Sequence, residues 1–365
     1  MLLLWLILIF NSLFMDLSKQ IVARRSRMIS LWVSIVFFML MIVGGFSAYR
    51  IAWAPNFRPQ DTFYVYIDEA RDFEALCQQL KDSADCRWLV GFQWLSARLD
   101  YPENMRTGRY AVHPGMSNLA LLNDLRRGHQ VATQVTFNNI RLKEELAERI
   151  DRQLMLSKAD LLYLLNDSAY CDSLGFTVET ILTLFLPNTY EVYWNLSARR
   201  FMSRMKREYD AFWNAKRLEK ARNAGLTPVE VSILASIVEE ETAVPDEYPI
   251  VAGLYINRLR AGIPLQADPT VKFAVGDFSL RRILFEHLEV DSPYNTYKHT
   301  GLPPGPLRIP SIESLEGVLN YARHRYFYMC AKEDLSGRHN FAKTLAEHNR
   351  NAHRYQSELN RRKIR

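Results

Sequence analysis

The chain has 365 residues, of which 48% are hydrophobic and 24% charged, which is typical of a folded protein with two or three domains and excludes wholesale disorder. The formal net charge is +6, but residues 16–27 contribute +3 and residues 350–365 contribute +5, which leaves about −2 for the rest. A main body without basic excess argues against a nucleic-acid-binding protein.

The segment 29–48, "ISLWVSIVFFMLMIVGGFSA", carries no charge. As a helix it would be ~30 Å long, which matches the hydrocarbon core of a bilayer. Four basic residues precede it, namely Lys19, Arg24, Arg25 and Arg27. Because basic residues are retained on the cytoplasmic side, we expect residues 1–28 to be cytoplasmic and the remainder of the chain to lie outside the cytoplasm.

A cleaved signal peptide is the alternative to an anchor. The apolar segment is longer than a signal core of ~7 to 15 residues, and no small-residue cleavage site clearly follows it, so an uncleaved anchor is favoured. Residues 1–14 are too short to span a membrane comfortably. Met15 and Met28 are plausible starts, so residues 1–14 need not belong to the mature protein.

The four cysteines show no CxxC motif and no metal-like spacing. We therefore expect no zinc site. An extracytoplasmic location would permit a disulfide between Cys77 and Cys86. The favoured alternative is that these two cysteines, Cys171 and Cys330 are all buried free thiols.

Residues 62–128 are predicted to form a small α+β module of two strands and two helices. "TFYVYI" alternates as a strand does, and Ser117 and Gly128 are suited to begin and end the second helix. Such a module is suited to binding or spacing. Residues 129–225 are predicted to be a mainly helical connecting region whose charged residues lie on solvated faces.

A helix is predicted to begin at Thr227, where Pro228 suits the first turn and Glu230 completes a capping box. It ends in three carboxylates, Glu239, Glu240 and Glu241. The 100° step per residue places Glu241 on the apolar face of Leu234, Ile237 and Val238 and leaves the other two glutamates solvated.

A carboxyl on the apolar face of a helix C-terminus is desolvated and faces the negative end of the helix dipole. Both effects raise its pKa, from ~4.3 toward ~6 or higher, which suits a general acid near neutral pH. A helix-end glutamate that reaches solvent is the alternative.

Five segments, in this order along the chain, resemble the YceG-like (MltG) family of endolytic murein transglycosylases. They are "ILASIVEEETA", "VAGLYINRLRAGIPLQADPTVKF", "SPYNTY", "TGLPPGPL" and the "HNF" that precedes "HN". The strong resemblance covers about 226–355. It implies an α+β fold with a single N-terminal transmembrane helix, a LysM-like peptidoglycan-binding module at 62–128, a helical connector at 129–225, a catalytic domain at 226–356 and a basic tail at 357–365.

The resemblance implies that Glu241, the last carboxylate of the family's E-x-E-T motif, is the catalytic acid. The implied reaction cleaves the MurNAc-β-1,4-GlcNAc bond of a glycan strand without water, since the 6-hydroxyl of the muramic sugar attacks its own anomeric carbon. Glu241 would protonate the leaving oxygen and later accept the hydroxyl proton. Glu240 stands where the family often has a basic residue, and if it lies near Glu241 it should raise that pKa further.

Two alternatives stay open. A murein hydrolase would need a second carboxylate, Asp268 or Glu239, and a non-catalytic scaffold would only bind peptidoglycan. The family also implies the inner membrane, peptidoglycan strands and wall-synthesis enzymes such as penicillin-binding proteins as partners, no nucleic acid and no cofactor.

Polar residues in the family segments are candidates for substrate binding, because amides, hydroxyls and aromatic rings bind sugars. Turn formation is the alternative function of each, and the "GLPPGPLRIP" segment is expected to form a stiff groove wall. Asp246 is expected to cap the helix that carries "YINRL", where Arg258 either orients a carboxylate or forms a surface pair. His339 and His348 are too isolated in sequence to predict a metal site. The substrate-binding candidates are Asn257, Gln266, Asp268, Thr270, Tyr294, Asn295 and Thr296.

Overall fold

The computed structural model describes residues 2–280 and 282–362, and only the backbone of residues 3–14, 16–23 and 26. The fold is mixed α+β, as the sequence predicts. The chain forms two compact units, Met1–Val131 and Ala132–Arg365. Each unit has its own hydrophobic core.

The first unit begins with a 51-residue helix, α1 (Leu2–Ala52), which extends beyond the predicted span on both sides. Its part Arg27–Ala52 is long and apolar enough to cross a membrane. The elements after it are β1 (Phe63–Ile67), α2 (Phe73–Ser83), α3 (Leu89–Arg98), β2 (Gly108–Val112) and α4 (Asn118–Arg127). The sequence reasoning missed α3, whose buried residues Gly91, Phe92 and Ser96 include only one large apolar side chain. The LysM-like assignment stays a prediction.

The second unit begins with an arrangement that repeats the one in the first unit. Its elements are β3 (Thr133–Phe137), α5 (Lys143–Asp151), α6 (Lys158–Asn166), α7 (Ser168–Ser173), β4 (Asn188–Val192) and α8 (Ala198–Phe212). The strands β1 and β2 pair antiparallel, as do β3 and β4. In both pairs a central valine lies opposite a buried tyrosine, Val65 opposite Tyr110 and Val135 opposite Tyr190.

The same glutamine contact supports both strand pairs. Gln79 bonds the backbone N–H and C=O of Tyr66 at 2.9 Å each, and Gln153 does the same for Thr136 at 2.9 and 3.1 Å. Each glutamine amide thereby satisfies one donor and one acceptor on an open strand edge. Residues 129–225, expected to be a mainly helical connector, thus contain a strand pair built like the first one.

The rest of the second unit is mainly helical. One hydrophobic core runs from Val135 to Leu319 and crosses position 225, so no boundary between compact units lies there. Helices α10, α11 and α14 pack together, and α15 packs on the hairpin of β5 and β6. The elements are α9 (Ala215–Ala224), α10 (Pro228–Glu241), α11 (Tyr248–Arg260), α12 (Asp268–Val275), α13 (Phe285–Leu288), α14 (Ile312–Leu319), β5 (Tyr328–Ala331), β6 (His339–Ala342) and α15 (Leu345–Arg361).

Helix α10 begins as the sequence predicts. The Thr227 hydroxyl accepts from the Glu230 N–H at 3.2 Å, and the Glu230 carboxylate accepts from the Thr227 N–H at 2.7 Å. Every residue from Val231 to Val238 is buried, so the helix is enclosed on all sides. The "GLPPGPLRIP" segment packs on it: the Leu307 N–H donates to the Ser236 hydroxyl at 2.9 Å.

The cysteines are free thiols, with Cys77 and Cys171 buried and Cys86 and Cys330 half-buried. Two of the four are therefore less buried than expected. The basic tail predicted at 357–365 starts inside α15, and its residues 363–365 lie outside the described residues.

The close packing of α11 depends on Gly253, where a Cβ would meet the carbonyl oxygen of Ala322 and lie 2.8 Å from His324 Nε2. A backbone carbonyl cannot rotate away as a side chain can. We expect Gly253→Ala to lower the free energy of unfolding by about 1–2 kcal/mol, because overpacking outweighs the helix propensity gained. Urea unfolding of the full-length protein in detergent would measure this, with Ser203→Ala on the exposed side of α8 as control; an equally stable Gly253→Ala variant would contradict it.

Candidate active site

Glu241 is the last residue of α10 and is half-buried. The Tyr255 hydroxyl, from α11, donates a 2.6 Å hydrogen bond to its Oε1. Burial raises the pKa of the Glu241 carboxyl from 4.5 to about 7; the Tyr255 hydrogen bond opposes this rise, and the charges of Asp268 and Glu240 add to it. The carboxyl is therefore largely protonated below neutral pH.

Glu239 and Glu240 are not solvated, so that expectation was wrong. Glu240 accepts two hydrogen bonds from Arg141, at 2.7 and 2.8 Å, and one from Arg308 at 2.9 Å. Glu239 accepts from the Ser311 N–H at 2.6 Å and from the Ser314 hydroxyl at 2.9 Å. The single-face argument fails because α10 is enclosed and other segments cover the sides that these glutamates face.

Glu241 and Asp268 line two cavities at once. One cavity, of about 380 Å³, is also lined by Tyr255, Gln266 and residues of the β5–β6 hairpin. The other, of about 910 Å³, is also lined by α12 and the C-terminal part of α15. The two carboxyl side chains thus lie where the cavities meet.

Two of the seven predicted substrate-binding residues line a cavity, the exposed Gln266 and Asp268. Gln266 adopts a left-handed backbone conformation with φ +51°, and its side-chain oxygen accepts from Arg258. The Asp268 carboxylate accepts from the Tyr297 hydroxyl at 2.6 Å. Both residues thus present polar atoms to the cavity that Glu241 lines.

The other five predicted residues make internal contacts. Thr270 and Thr296 are buried and share a 2.7 Å hydroxyl–hydroxyl hydrogen bond. The amides of Asn257 and Asn295 donate to backbone carbonyls. Tyr294 packs on Phe273 with ring centroids 4.7 Å apart. These residues shape the loops around the site and do not line the two cavities.

Two expectations for the α11 region were wrong. Asp246 does not cap α11, since it pairs with Arg338 at 3.2 Å in a turn before the helix. Arg258 neither orients a carboxylate nor forms a surface pair. It is buried and donates to the carbonyls of Pro264 and Phe327 at 2.9 and 2.7 Å, which holds the loop next to the cavity.

Sequence reasoning missed several residues of the site. Tyr255 and Tyr297 each donate to a carboxylate that lines both cavities. His339 and His348, considered only as metal ligands, both line the smaller cavity. No group of three or more metal-ligand side chains occurs in the described part of the chain. Tyr255 is the first residue of the "YINRL" motif, but its contact with Glu241 on the preceding helix is not visible in the sequence.

The family model for the YceG-like family matches residues 65–354. The chain belongs to the YceG-like family. It is 27% identical over 315 residues to the endolytic murein transglycosylase of Bacillus subtilis (strain 168), covering 82% of this chain and 86% of that protein. It is 23% identical to the Streptococcus pneumoniae endolytic murein transglycosylase, covering 89% of this chain and 65% of that longer protein.

A crystal structure of a YceG-like protein from Listeria monocytogenes is also similar. The TM-score is 0.52 with 26% identity, and the match covers 80% of this chain and 99% of that one. The family match spans most of the first unit's α+β module, the smaller cavity and the part of the larger cavity that precedes residue 355. The YceG-like fold therefore includes the elements that place Glu241.

A pH-dependent stability difference is expected at Glu241. In the folded protein the pKa of Glu241 is about 7, above the ordinary 4.5. The protonated Glu241 carboxyl therefore leaves the stability of the fold at its full value below pH 4.5, and this stability is lost as the pH rises through 7. We therefore expect Glu241→Gln to stabilise the protein relative to wild type at pH 8, by up to about 3 kcal/mol, and to have little effect at pH 4.5.

Chemical unfolding of the full-length protein in detergent at both pH values would measure the difference. Glu313→Gln is the matched control, because Glu313 is exposed on α14. If the Glu241→Gln difference is the same at pH 4.5 and pH 8, the Glu241 pKa is not raised.

Proposed function

We propose that this protein is a membrane-anchored endolytic peptidoglycan lytic transglycosylase with Glu241 as its general acid. The observation that carries this proposal is a half-buried carboxyl, bonded by the Tyr255 hydroxyl, that lines two cavities at once and whose pKa burial raises to about 7. A general acid must hold its proton near the working pH, and burial raises the pKa of Glu241 in the direction that favours this. The names of the B. subtilis and S. pneumoniae relatives support the substrate and the reaction.

The proposed reaction cleaves the MurNAc-β-1,4-GlcNAc bond within a strand and leaves a 1,6-anhydroMurNAc end. Glu241 gives its proton to the departing GlcNAc oxygen as the bond to the anomeric carbon breaks. The 6-hydroxyl oxygen of the same MurNAc forms the new bond to that carbon. No enzyme nucleophile and no water are consumed, so a second carboxylate is not required.

The two cavities suit cleavage inside a strand. An endolytic enzyme must hold an extended strand on both sides of the bond it cuts, whereas an enzyme that acts on chain ends needs an extended groove on one side only. Since Glu241 lines both cavities, the glycan would occupy the smaller cavity on one side of the acid and the larger cavity on the other.

A murein hydrolase is the second candidate function, and Asp268 favours it. This exposed carboxylate lines both cavities together with Glu241 and is the one that could activate a water. Glu239 is less suited, since serine donors bind it and it lines neither of the two cavities. A non-catalytic scaffold would have no use for a half-buried carboxyl with a raised pKa.

In this proposal the reaction takes place outside the cytoplasm, which the apolar N-terminal helix and the basic residues before it support. The part Arg27–Ala52 would cross the inner membrane, and the basic residues before it would stay in the cytoplasm. Nascent peptidoglycan would then be within reach of the second unit. Partnership with wall-synthesis enzymes such as penicillin-binding proteins is proposed from the family resemblance alone.

The product test separates these functions. Full-length protein in detergent is incubated with purified murein, and the products are analysed by mass spectrometry. We expect anhydro-ended fragments from wild type and from Glu313→Gln, and a loss of at least 100-fold from Glu241→Gln, because acid–base assistance contributes about 10²–10⁴ in rate. Reducing-end products would identify a hydrolase, and an active Glu241→Gln enzyme would overturn the assignment.

A second prediction concerns the alkaline limb of the pH–rate profile. Activity should fall as the pH rises through the pKa of Glu241, because the acid loses its proton. The Tyr255 hydroxyl lowers that pKa, so Tyr255→Phe should move the limb to higher pH by about one unit. The exposed Tyr163→Phe is the matched control, and an unmoved limb in Tyr255→Phe would show that Tyr255 does not tune the acid.

A further inference from the structure

The histidine of a carboxylate–imidazole pair lines the smaller cavity, which Glu241 also lines. The Nδ1 atom of His339, on β6, is 2.8 Å from the Glu247 Oε2 atom. The same carboxylate accepts the His339 backbone N–H at 2.9 Å and the Thr242 hydroxyl at 3.0 Å. The exposed fraction of the Glu247 side chain is 5% and that of His339 is 14%. Burial and these three hydrogen bonds therefore fix the positions of the Glu247 and His339 side chains.

The partners of Glu247 determine which histidine nitrogen carries the proton. Burial alone would raise the pKa of Glu247, but the hydrogen bonds from His339 and Thr242 outweigh it and leave that pKa below its ordinary value. An ionised carboxylate only accepts hydrogen bonds, so Nδ1 is the protonated nitrogen. In the neutral ring Nε2 then carries a lone pair, and it makes no hydrogen bond to any described residue.

His339 lines the smaller cavity together with Glu241. The two residues are also linked through the end of α10, because Thr242 follows Glu241 directly and its buried hydroxyl donates to Glu247. Since Nδ1 lies on Glu247, Nε2 is the nitrogen available to a molecule in the cavity. The Glu241 carboxyl and the Nε2 atom of His339 thus lie in the wall of one cavity.

The other titratable side chains of the cavity are less suited to act as a base. The Nδ1 atom of His348 is buried without a hydrogen-bond partner among the described residues, and none of the carboxylates described there bonds its ring. Asp268 is bonded by the Tyr297 hydroxyl. Arg258 is cationic and held by backbone carbonyls. Burial raises the pKa of the Cys330 thiol, which keeps it protonated.

We propose that His339 is the general base of the transglycosylase reaction and that Glu247 is its positioning residue. This inference rests on the proposed function. It differs from the scheme in which Glu241 alone serves as both acid and base. As the C1–O bond to GlcNAc breaks, Glu241 protonates the leaving oxygen. As O6 bonds to C1, the proton of the 6-hydroxyl passes to Nε2 of His339. Solvent then takes the proton from His339 and returns one to Glu241, which restores both groups.

Two substitutions separate a catalytic from a structural role of His339. His339→Asn keeps an amide donor near the position of Nδ1, and with it the Glu247 contact, but removes Nε2. His339→Ala empties the space of the ring, which added imidazole can fill. His353→Ala is the matched control, because His353 is exposed on α15 and lines neither of the cavities described above.

The assay measures the release of anhydro-ended fragments from murein by full-length protein in detergent, with and without imidazole. We expect a loss of 10²–10⁴-fold in both His339 variants, and a recovery of at least tenfold in His339→Ala with imidazole. Imidazole should not accelerate wild type or His353→Ala. Glu247→Gln should lower the rate without rescue by imidazole, because the base is present but its tautomer is no longer fixed.

Retained activity in His339→Asn would overturn the proposal. So would a His339→Ala variant that keeps the wild-type melting temperature but is not accelerated by imidazole. Failure of the underlying function looks different, since wild type would then release no anhydro ends at all.

Discussion

The Glu241 carboxyl lies at the negative end of a helix, half-buried, with two more carboxylates directly before it in the chain. Three neighbouring negative charges would repel one another strongly in a low-dielectric site. The fold relieves this by giving the first two their own donors, chiefly Arg141, Arg308 and Ser314. No ion pair reaches Glu241 within the described residues. Burial is the main cause of the raised pKa of Glu241, and the charges of Asp268 and Glu240 add to it, so the acid depends first on desolvation and only second on this unequal neutralisation.

Local sequence signals predicted the elements that depend on neighbours in the chain. The capping box at Thr227 and Glu230 and the N-cap at Ser117 are present as predicted. The strands β3 and β4 were missed because they pair across 50 residues of helix and turn, and only their pairing shows that they repeat β1 and β2. The structural repeat is invisible in the chain because the Val–Tyr pair and the glutamine contact are spaced differently in each copy.

In the candidate site, too, the sequence predicted what depends on neighbours in the chain and missed what depends on distant contacts. Helical periodicity selected Glu241, which does line the cavities, but it misjudged Glu239 and Glu240 because it treats a helix as having one covered face. Most of the polar candidates turned out to bond the loops that hold the site. Tyr255 and Glu247 could not be assigned from sequence, since each acts through a partner 14 or 92 residues away. Spacing along one chain contains no information about such contacts.

Glu241 and Glu247 are six positions apart, yet their pKa values move in opposite directions. Both are shielded from solvent, so burial alone cannot explain the difference. Glu247 accepts three hydrogen bonds, from Thr242 and from the backbone and ring of His339, whereas Glu241 accepts one, from Tyr255. The count of donors decides which carboxyl is ionised. Thr242 follows the last residue of α10 and donates to Glu247, so one short turn sets the positions of both carboxyls while their different donors set their pKa values apart.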